Sequence, residues 1–399
     1  MALNVGRLGR IVTRGRGFIA EVDGLRFVAI SAVVLYHLSQ HTLTRLMDGA
    51  SVLPGERWLT ELLDLGHYGV QLFFVLSGFL LVLPFAKWRL GLGDRPRLRA
   101  YYLRRLTRIE PPYLVAMVLL FIGPPLFASW MATGWSLWPN LLASLVYQHN
   151  LIFHGTNPIN PVTWSLEIEV QFYMLAPFLA AVYSIRNVMG RRGTLFVFML
   201  AAPLVRSVFP AEMEYSYDSL LWQVEYFAAG FLLADFYLLE WRQASSRSLR
   251  WDMASLAGWP ALVAALLEQR FHYAWAPLLL VICAGAFRGK VSSWLLSRRP
   301  ITVIGGMCYS MYLLHFRLIF VTGHLATRFL RGSSFMERFA LEALISIPAI
   351  LLATVVFYVL IERPCMDPAW PAKAALRLRR FFGLDLGNGS RGEAGQASR

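Results

Sequence analysis

Charge is scarce in this sequence. Only 16% of its 399 residues are Asp, Glu, Lys or Arg, while 57% are hydrophobic. With a mean hydropathy of +0.50, the chain is too apolar throughout for an ordinary soluble core, which implies an integral membrane protein. Acidic residues are the scarcer sign, 24 against 38 basic ones. The formal charge of +14 would suit nucleic acid if the basic residues shared one soluble surface. They fall instead in short clusters between apolar stretches, where the positive-inside rule and anionic headgroups account for them; no nucleic-acid partner is expected. Cysteine is nearly absent: Cys283, Cys308 and Cys365 are widely spaced and the first two sit in apolar segments. That leaves neither a disulfide framework nor a thiolate metal site, and no metal is assigned. No internal repeat is evident, which weakens a transporter built from inverted halves. Nor is there a small-residue cleavage site after the basic MALNVGRLGRIVTRGRGF, so the apolar segment that follows, with Asp23 and Arg26 at its start, is expected to be a retained first span.

What is present is a series of long apolar runs. A helix crossing the hydrocarbon core needs roughly 20 apolar residues. Runs near 25–45, 66–86, 111–133, 166–186, 194–210, 219–239, 252–268, 273–288, 301–323 and 339–361 qualify. The expected fold is all-α, a polytopic membrane protein with about ten transmembrane helices. Arginine clusters at 7–16, 95–108, 191–192, 242–250, 298–299 and 373–380 all fall on one side if the 134–153 stretch stays outside the bilayer. Both termini are then cytoplasmic, while HGTNPINP and the acidic PAEMEYSYD face outward. On that topology Asn157 and Ser216 are outside and Gly93 and Ser246 inside. Residues 1–365 form a single transmembrane domain; 366–399 form a basic tail ending GNGSRGEAGQASR, read as a partly disordered cytoplasmic end.

Within the first span, Arg26 and His37 are eleven residues apart. At about 100° per residue they share a helix face, separated by roughly 16 Å along the axis. Arg26 reads equally as a snorkelling anchor at the headgroup level. An ionisable group at the depth of His37 is a functional candidate by default, with interhelical hydrogen bonding as the plain alternative. A buried neutral imidazole suits a general base acting on a hydroxyl. In LRRLTRIEPPY, Arg105 and Arg108 share a face just before Pro111 and Pro112 open the third span. Guanidinium groups edging a helix N-terminus suit a phosphorylated cosubstrate. In TWSLEIEVQFY, Ser165 is expected to cap the helix and Glu167 to sit in its first turn. Glu169 lies deeper, where a carboxylate needs a partner such as an imidazole or a sugar hydroxyl; it is expected to meet His37 in the outer half of the bilayer. Ser77 and Gly78 in FFVLSGFLL read more as close helix packing than as a nucleophile. Tyr309, Tyr312 and His315 fall in the outer half of the ninth run, with His315 open between a bonding role and a site role.

Taken together, the Arg and His eleven apart, FFVLSGFLL, the arginine pair before the third span, WSLEIEVQFY, YSMYLLHF and the closing IERP at 361–364 resemble the acyltransferase family 3 membrane proteins, which O-acylate lipopolysaccharide, other glycans and some antibiotics. The resemblance covers most of the chain. It implies a cell-membrane (inner, cytoplasmic) enzyme with acyl-CoA, acetyl-CoA foremost, as cosubstrate and no permanently bound cofactor. It further implies Arg26, Arg105 and Arg108 near the CoA phosphates, His37 as the essential histidine, Glu169 as the Glu of the Trp-Ser motif, and Ser77, Tyr173, Tyr309 and His315 in supporting places. Glu110 departs from the family pattern, which often has an aromatic or apolar residue before the proline, and this bears on how the helix enters. Family members with a fused C-terminal hydrolase-like domain exist; a single-domain enzyme is expected here. The expected acceptor is a hydroxyl of an extracytoplasmic glycan, the runner-up a small molecule such as a macrolide antibiotic. A secondary transporter or exporter is the alternative of another class, and it should show discontinuous helices in paired halves, of which the sequence gives no sign.

Overall fold

The structure is a computed structural model that describes residues 18–46, 52–127, 135–208, 219–241, 247–326, 334–367, 369–370, 373 and 376, and among these there is no strand. The helices are α1 (Ala20–Leu46), α2 (Arg57–Asp64), α3 (Gly69–Arg89), α4 (Leu98–Phe127), α5 (Trp138–Leu145), α6 (His149–Phe153), α7 (Trp164–Leu179) and α8 (Val188–Val208). They continue with α9 (Leu220–Phe236), α10 (Leu249–Leu267), α11 (Trp275–Arg288), α12 (Lys290–Leu296), α13 (Arg299–Gly306), α14 (Cys308–Ala326) and α15 (Phe335–Phe357).

Where they are described, all ten expected apolar runs are mainly helical, but fewer meet the measure of a span. Among the described residues seven helical stretches are long and apolar enough to cross a membrane: Ala20–Thr44, Pro54–Arg89, Leu98–Gly123, Pro161–Ser184, Val188–Val205, Arg270–Arg288 and Phe335–Cys365. An eighth is added if Arg299–Gly306 and Cys308–Leu325, bent by 71°, count as one. The helices α9, with 17 residues, and α10 stand at the two remaining positions without meeting it. Between 135 and 153 the chain forms only α5 and α6, of eight and five residues. At about 1.5 Å per residue neither can cross some 30 Å of hydrocarbon. The basic N-terminal run, the 210–218 acidic stretch with Ser216, Ser246 and most of the tail lie outside the described residues. Gly93 is exposed, whereas Asn157 is buried.

Three local features differ from expectation. The third span starts at Leu98, so α4 runs 30 residues through Pro111 and Pro112, and Arg105 and Arg108 lie inside the helix rather than at its N-terminus. Pro111 cannot donate to the Thr107 carbonyl; the Trp370 indole does so instead, at 3.1 Å. Ser165 does not cap α7. Thr163 holds the cap position without a side-chain bond, and the Ser165 hydroxyl turns to Tyr312, 3.1 Å away. The ninth run is broken after Gly306. A Cβ on Gly305 would stand 1.8 Å from the Asp23 carbonyl oxygen, so α13 crosses α1 closer than any side chain permits, and α14 departs in a new direction. This is one discontinuous helix where none was expected, although it has no counterpart broken helix among the described residues.

Packing centres on α3, which lies against α9, α1 and α7. Gly78 and Gly230 set the α3–α9 approach: a Cβ on Gly78 would meet the Phe227 carbonyl oxygen at 2.6 Å, and one on Gly230 the Val75 oxygen at 2.3 Å. The packing reading of the Ser77–Gly78 pair therefore holds for Gly78. The helices α13, α14 and α15 gather around α1, and the polar interior lies where α1, α3, α4, α7 and α14 converge.

Candidate functional site

At that convergence a cavity of about 110 Å³ is lined by Arg26, Ser77, Arg105, Arg108, Glu169, Tyr173 and Tyr309, with Ser165, Cys308, Tyr312 and Glu362 among the further wall residues. Seven of the nine side chains singled out from the sequence thus share one wall. Arg26 comes from α1, where Asp23 one turn earlier accepts from it at 2.9 Å. Arg105 and Arg108, three apart on α4, present one helix face. The Arg105 guanidinium lies 5.7 Å from the Tyr101 ring and 5.9 Å from the Tyr173 ring. Glu169 finds its partners in two hydroxyls, Ser77 and Tyr173, each donating to Oε1 at 2.5 Å. Ser77 is thus a donor to a carboxylate, held by the same α3 segment that Gly78 packs onto α9.

Beyond this cavity, toward Phe18, Thr302 and Met366, opens a larger one of about 450 Å³ that shares Arg26, Arg105 and Arg108 and adds Arg104. The three arginines therefore stand between two chambers. Such a ring of forked donors binds phosphate or carboxylate oxygens strongly, because charge-assisted bonds are shorter and stronger than neutral ones.

His37 and His315 form a separate cluster. Their ring centres are 5.3 Å apart, and Phe316 stands edge-on to His37 at 5.0 Å. His315 is fully buried. Its Nδ1 lies 3.0 Å from the Met311 carbonyl and 2.9 Å from that of Tyr312, which places the proton on Nδ1 and leaves Nε2, without a partner, as an acceptor. The His37 side chain is outside the arginine cavity, whose wall reaches Val33, one turn earlier. Glu169 bonds to Ser77 and Tyr173 and not to His37, so the expected meeting of the two is replaced by a Glu169 held with the arginines.

Several groups escaped sequence reasoning. Glu362 of IERP is fully buried; Oε2 accepts from the Ser310 amide at 3.1 Å and its hydroxyl at 2.5 Å, while Oε1 has no partner. Glu342 pairs with His41 at 2.5 Å and accepts from Thr42 at 2.7 Å. A carboxylate within an apolar run was the available signal for both. Glu167 stands in the first turn as expected and accepts from the Asn150 amide at 2.9 Å. The departure at Glu110 has a local reason, since Tyr147 donates to it at 2.6 Å. Arg317 donates to the Ile159 carbonyl at 2.8 Å and to that of Pro158, and Asn160 donates to the Leu313 carbonyl at 3.0 Å. These bonds tie the NPINP loop over α14. No group of residues suited to hold a metal occurs among the described residues.

Comparison with known proteins places these features. The chain is 24% identical to the peptidoglycan O-acetyltransferase OatA of Listeria monocytogenes over 78% of its length and 51% of the relative's. It is 24% identical to the O-acetyltransferase OatA of Staphylococcus aureus over 90% of its length and 59% of the relative's. Against the acyltransferase MdmB of Streptomyces mycarofaciens the identity is 25%, over 49% of each chain. The chain thus spans about half to three fifths of the length of these curated relatives. No solved structure matches. The family model described as "Acyltransferase domain" (Acyl_transf_3) matches residues 19–363, a stretch that takes in both the arginine cavity and the histidine pair, and the chain belongs to that family.

Proposed function

We propose that this chain is a membrane O-acyltransferase that moves an acyl group, acetyl foremost, from acyl-CoA on its basic face to a hydroxyl of an extracytoplasmic glycan. The observation that carries the reading is the convergence of Arg26, Arg105 and Arg108, from two helices, at the junction of two cavities. A phosphorylated donor lodged there keeps its charges at the arginines, and its pantetheine arm extends along α1 toward His37, about 6 Å beyond Val33. His37 takes the proton of the acceptor hydroxyl as that oxygen attacks the thioester carbonyl. An ester C–O bond forms, the C–S bond breaks, and the CoA thiolate leaves as its thiol by taking back the proton that His37 holds. His315 fixes the neighbouring imidazole surface, and Glu169, with Ser77 and Tyr173, shapes the passage beside the arginines. The names of the Listeria and Staphylococcus relatives, both O-acetyltransferases and one acting on peptidoglycan, favour a glycan acceptor over a small molecule.

Placement in the cytoplasmic membrane with about ten spans and both termini inside belongs to the same proposal, as does the division into a membrane domain (1–365) and a basic tail (366–399). The test is transfer of a labelled acetyl group from acetyl-CoA in reconstituted vesicles, together with mass spectrometry of envelope glycans and secreted metabolites from a deletion strain. A glycan lacking one acetyl mass is the expected result. Loss of an acylated metabolite with intact glycans would move the acceptor to small molecules, and absence of any acyl difference would overturn the enzyme reading.

A further inference from the structure

A second basic hollow lies at the C-terminal end of α3, where Trp88 and Arg89 face the turn before α8 formed by Ser184, Ile185 and Arg186, with Arg191 behind. Its wall holds three arginines and no carboxylate. Arg191 is only 1% exposed. Its Nε pairs with Asp235 and its Nη1 donates to the Ile185 carbonyl at 2.8 Å, while Nη2 is buried with no partner. Arg89 gives one N–H to the Ser184 hydroxyl, and its Nε too is buried without a partner. Asp235 does not balance this hollow, because its other oxygen takes Arg192 at 2.7 Å. Arg192 is further held by Glu240 at 2.7 Å. Two carboxylates thus serve four guanidiniums, and Arg89 and Arg186 have no ion-pair partner among the described residues. Buried N–H groups left unmade are unfavourable, and both belong to residues that form this hollow, which holds no carboxylate of its own.

We propose that this hollow binds the phosphate of an anionic phospholipid headgroup. Phosphate supplies several acceptor oxygens to forked donors, and either a lipid or a soluble molecule could carry it. The surroundings favour the lipid. α3 and α8 both belong to stretches long and apolar enough to cross a membrane, so their adjoining ends lie at headgroup level. Trp88 sits there with Arg89 and Arg95 guanidiniums 5.0 and 5.1 Å from its ring, as aromatic and basic residues do at an interface. Beside the arginines, Ile185, Val188 and Met189 are 37, 39 and 77% exposed, an apolar margin suited to acyl chains and unsuited to a soluble anion. Basic pockets between spans on the positive side are where anionic headgroups bind.

The test uses the full chain in nanodiscs of phosphatidylcholine alone or mixed with phosphatidylglycerol, with bound lipid read by native mass spectrometry and stability by thermal unfolding. Phosphatidylglycerol should be retained and should raise the unfolding temperature. The double variant Arg89→Gln/Arg186→Gln, which leaves the Arg191–Asp235 pair intact, should bind it at least about tenfold more weakly. Its unfolding in phosphatidylcholine and its affinity for CoA should be unchanged. Arg191→Lys, which keeps a cation beside Asp235 but lacks Nη2, gives the same direction by a second route. Equal retention of phosphatidylglycerol by wild type and both variants overturns the site. Displacement of the lipid by inorganic phosphate or CoA as readily as by phosphatidylglycerol gives the hollow to a soluble phosphate and overturns the lipid assignment.

Discussion

Truncating Arg105 to alanine removes two kinds of interaction that an experiment can separate. One is the approach of its guanidinium to the rings of Tyr101 and Tyr173, present with or without ligand and worth about 0.5–1 kcal/mol. Its loss lowers stability and cancels from any binding difference. The other is the contact to a donor phosphate, present only in the complex and worth about 1.5–3 kcal/mol as a charge-assisted bond. That corresponds to roughly a ten- to hundredfold rise in Kd for acyl-CoA. Titration calorimetry on the reconstituted protein reads the Kd, and turnover at saturating donor should stay near wild type, since Arg105 lines the arginine cavity and the histidines do not. Arg105→Lys keeps the charge but loses the fork, so its Kd should fall between the two. A folded Arg105→Ala protein with unchanged donor affinity would refute the assignment of the arginine cavity to phosphate.

His37→Ala should abolish transfer while sparing insertion and CoA binding; residual turnover in the folded variant removes His37 from the role of base. Gly230→Ala places a Cβ 2.3 Å from the Val75 oxygen and 2.6 Å from the Phe79 nitrogen; overpacking of this kind costs about 1–3 kcal/mol and should lower the unfolding temperature, and an unchanged temperature would show that α3 and α9 can part freely. Thr156→Cys, at an exposed position beside the buried Asn157, should react with an impermeant thiol reagent in intact cells, and Gly93→Cys only after lysis; the reverse pattern overturns the orientation.

The polar residues that the sequence exposes as anomalies in apolar runs are the ones the structure gathers. Arg26 and Glu169 were legible because a charge in such a run is unfavourable without a purpose or a partner, and Arg105 and Arg108 because they share one helix face at the edge of the third run. Their partners were not legible, because a contact such as Ser77 with Glu169, 92 positions apart, depends on how helices cross. Helix starts failed at Pro111 and at Ser165 for one reason. Local cap and proline signals describe a helix in isolation, whereas a distant Trp370 satisfies the carbonyl that Pro111 leaves free and Tyr312 draws Ser165 away from capping. The break after Gly306 was hidden too, since two adjacent glycines signal permissiveness and not the neighbour that requires it.

That break has a consequence for the chemistry. Gly305 seats α13 on the backbone of α1 at Asp23, one turn before Arg26, and the 71° bend then carries α14 along the same helix. Tyr309 and Tyr312 reach the arginine cavity, and His315, three residues on from Tyr312, meets His37. On α1 the order is the same: Arg26 and Val33 line the cavity, and His37 follows one turn later. The two clusters are therefore successive stations on one seam between α1 and α14, not independent sites. Charge stays at the first, where guanidiniums outnumber carboxylates. At the second, His315 has its Nδ1 proton committed to backbone carbonyls and adds only an acceptor. A donor with phosphates at one end and a neutral thioester at the other fits that polarity, because only its uncharged arm need enter the seam.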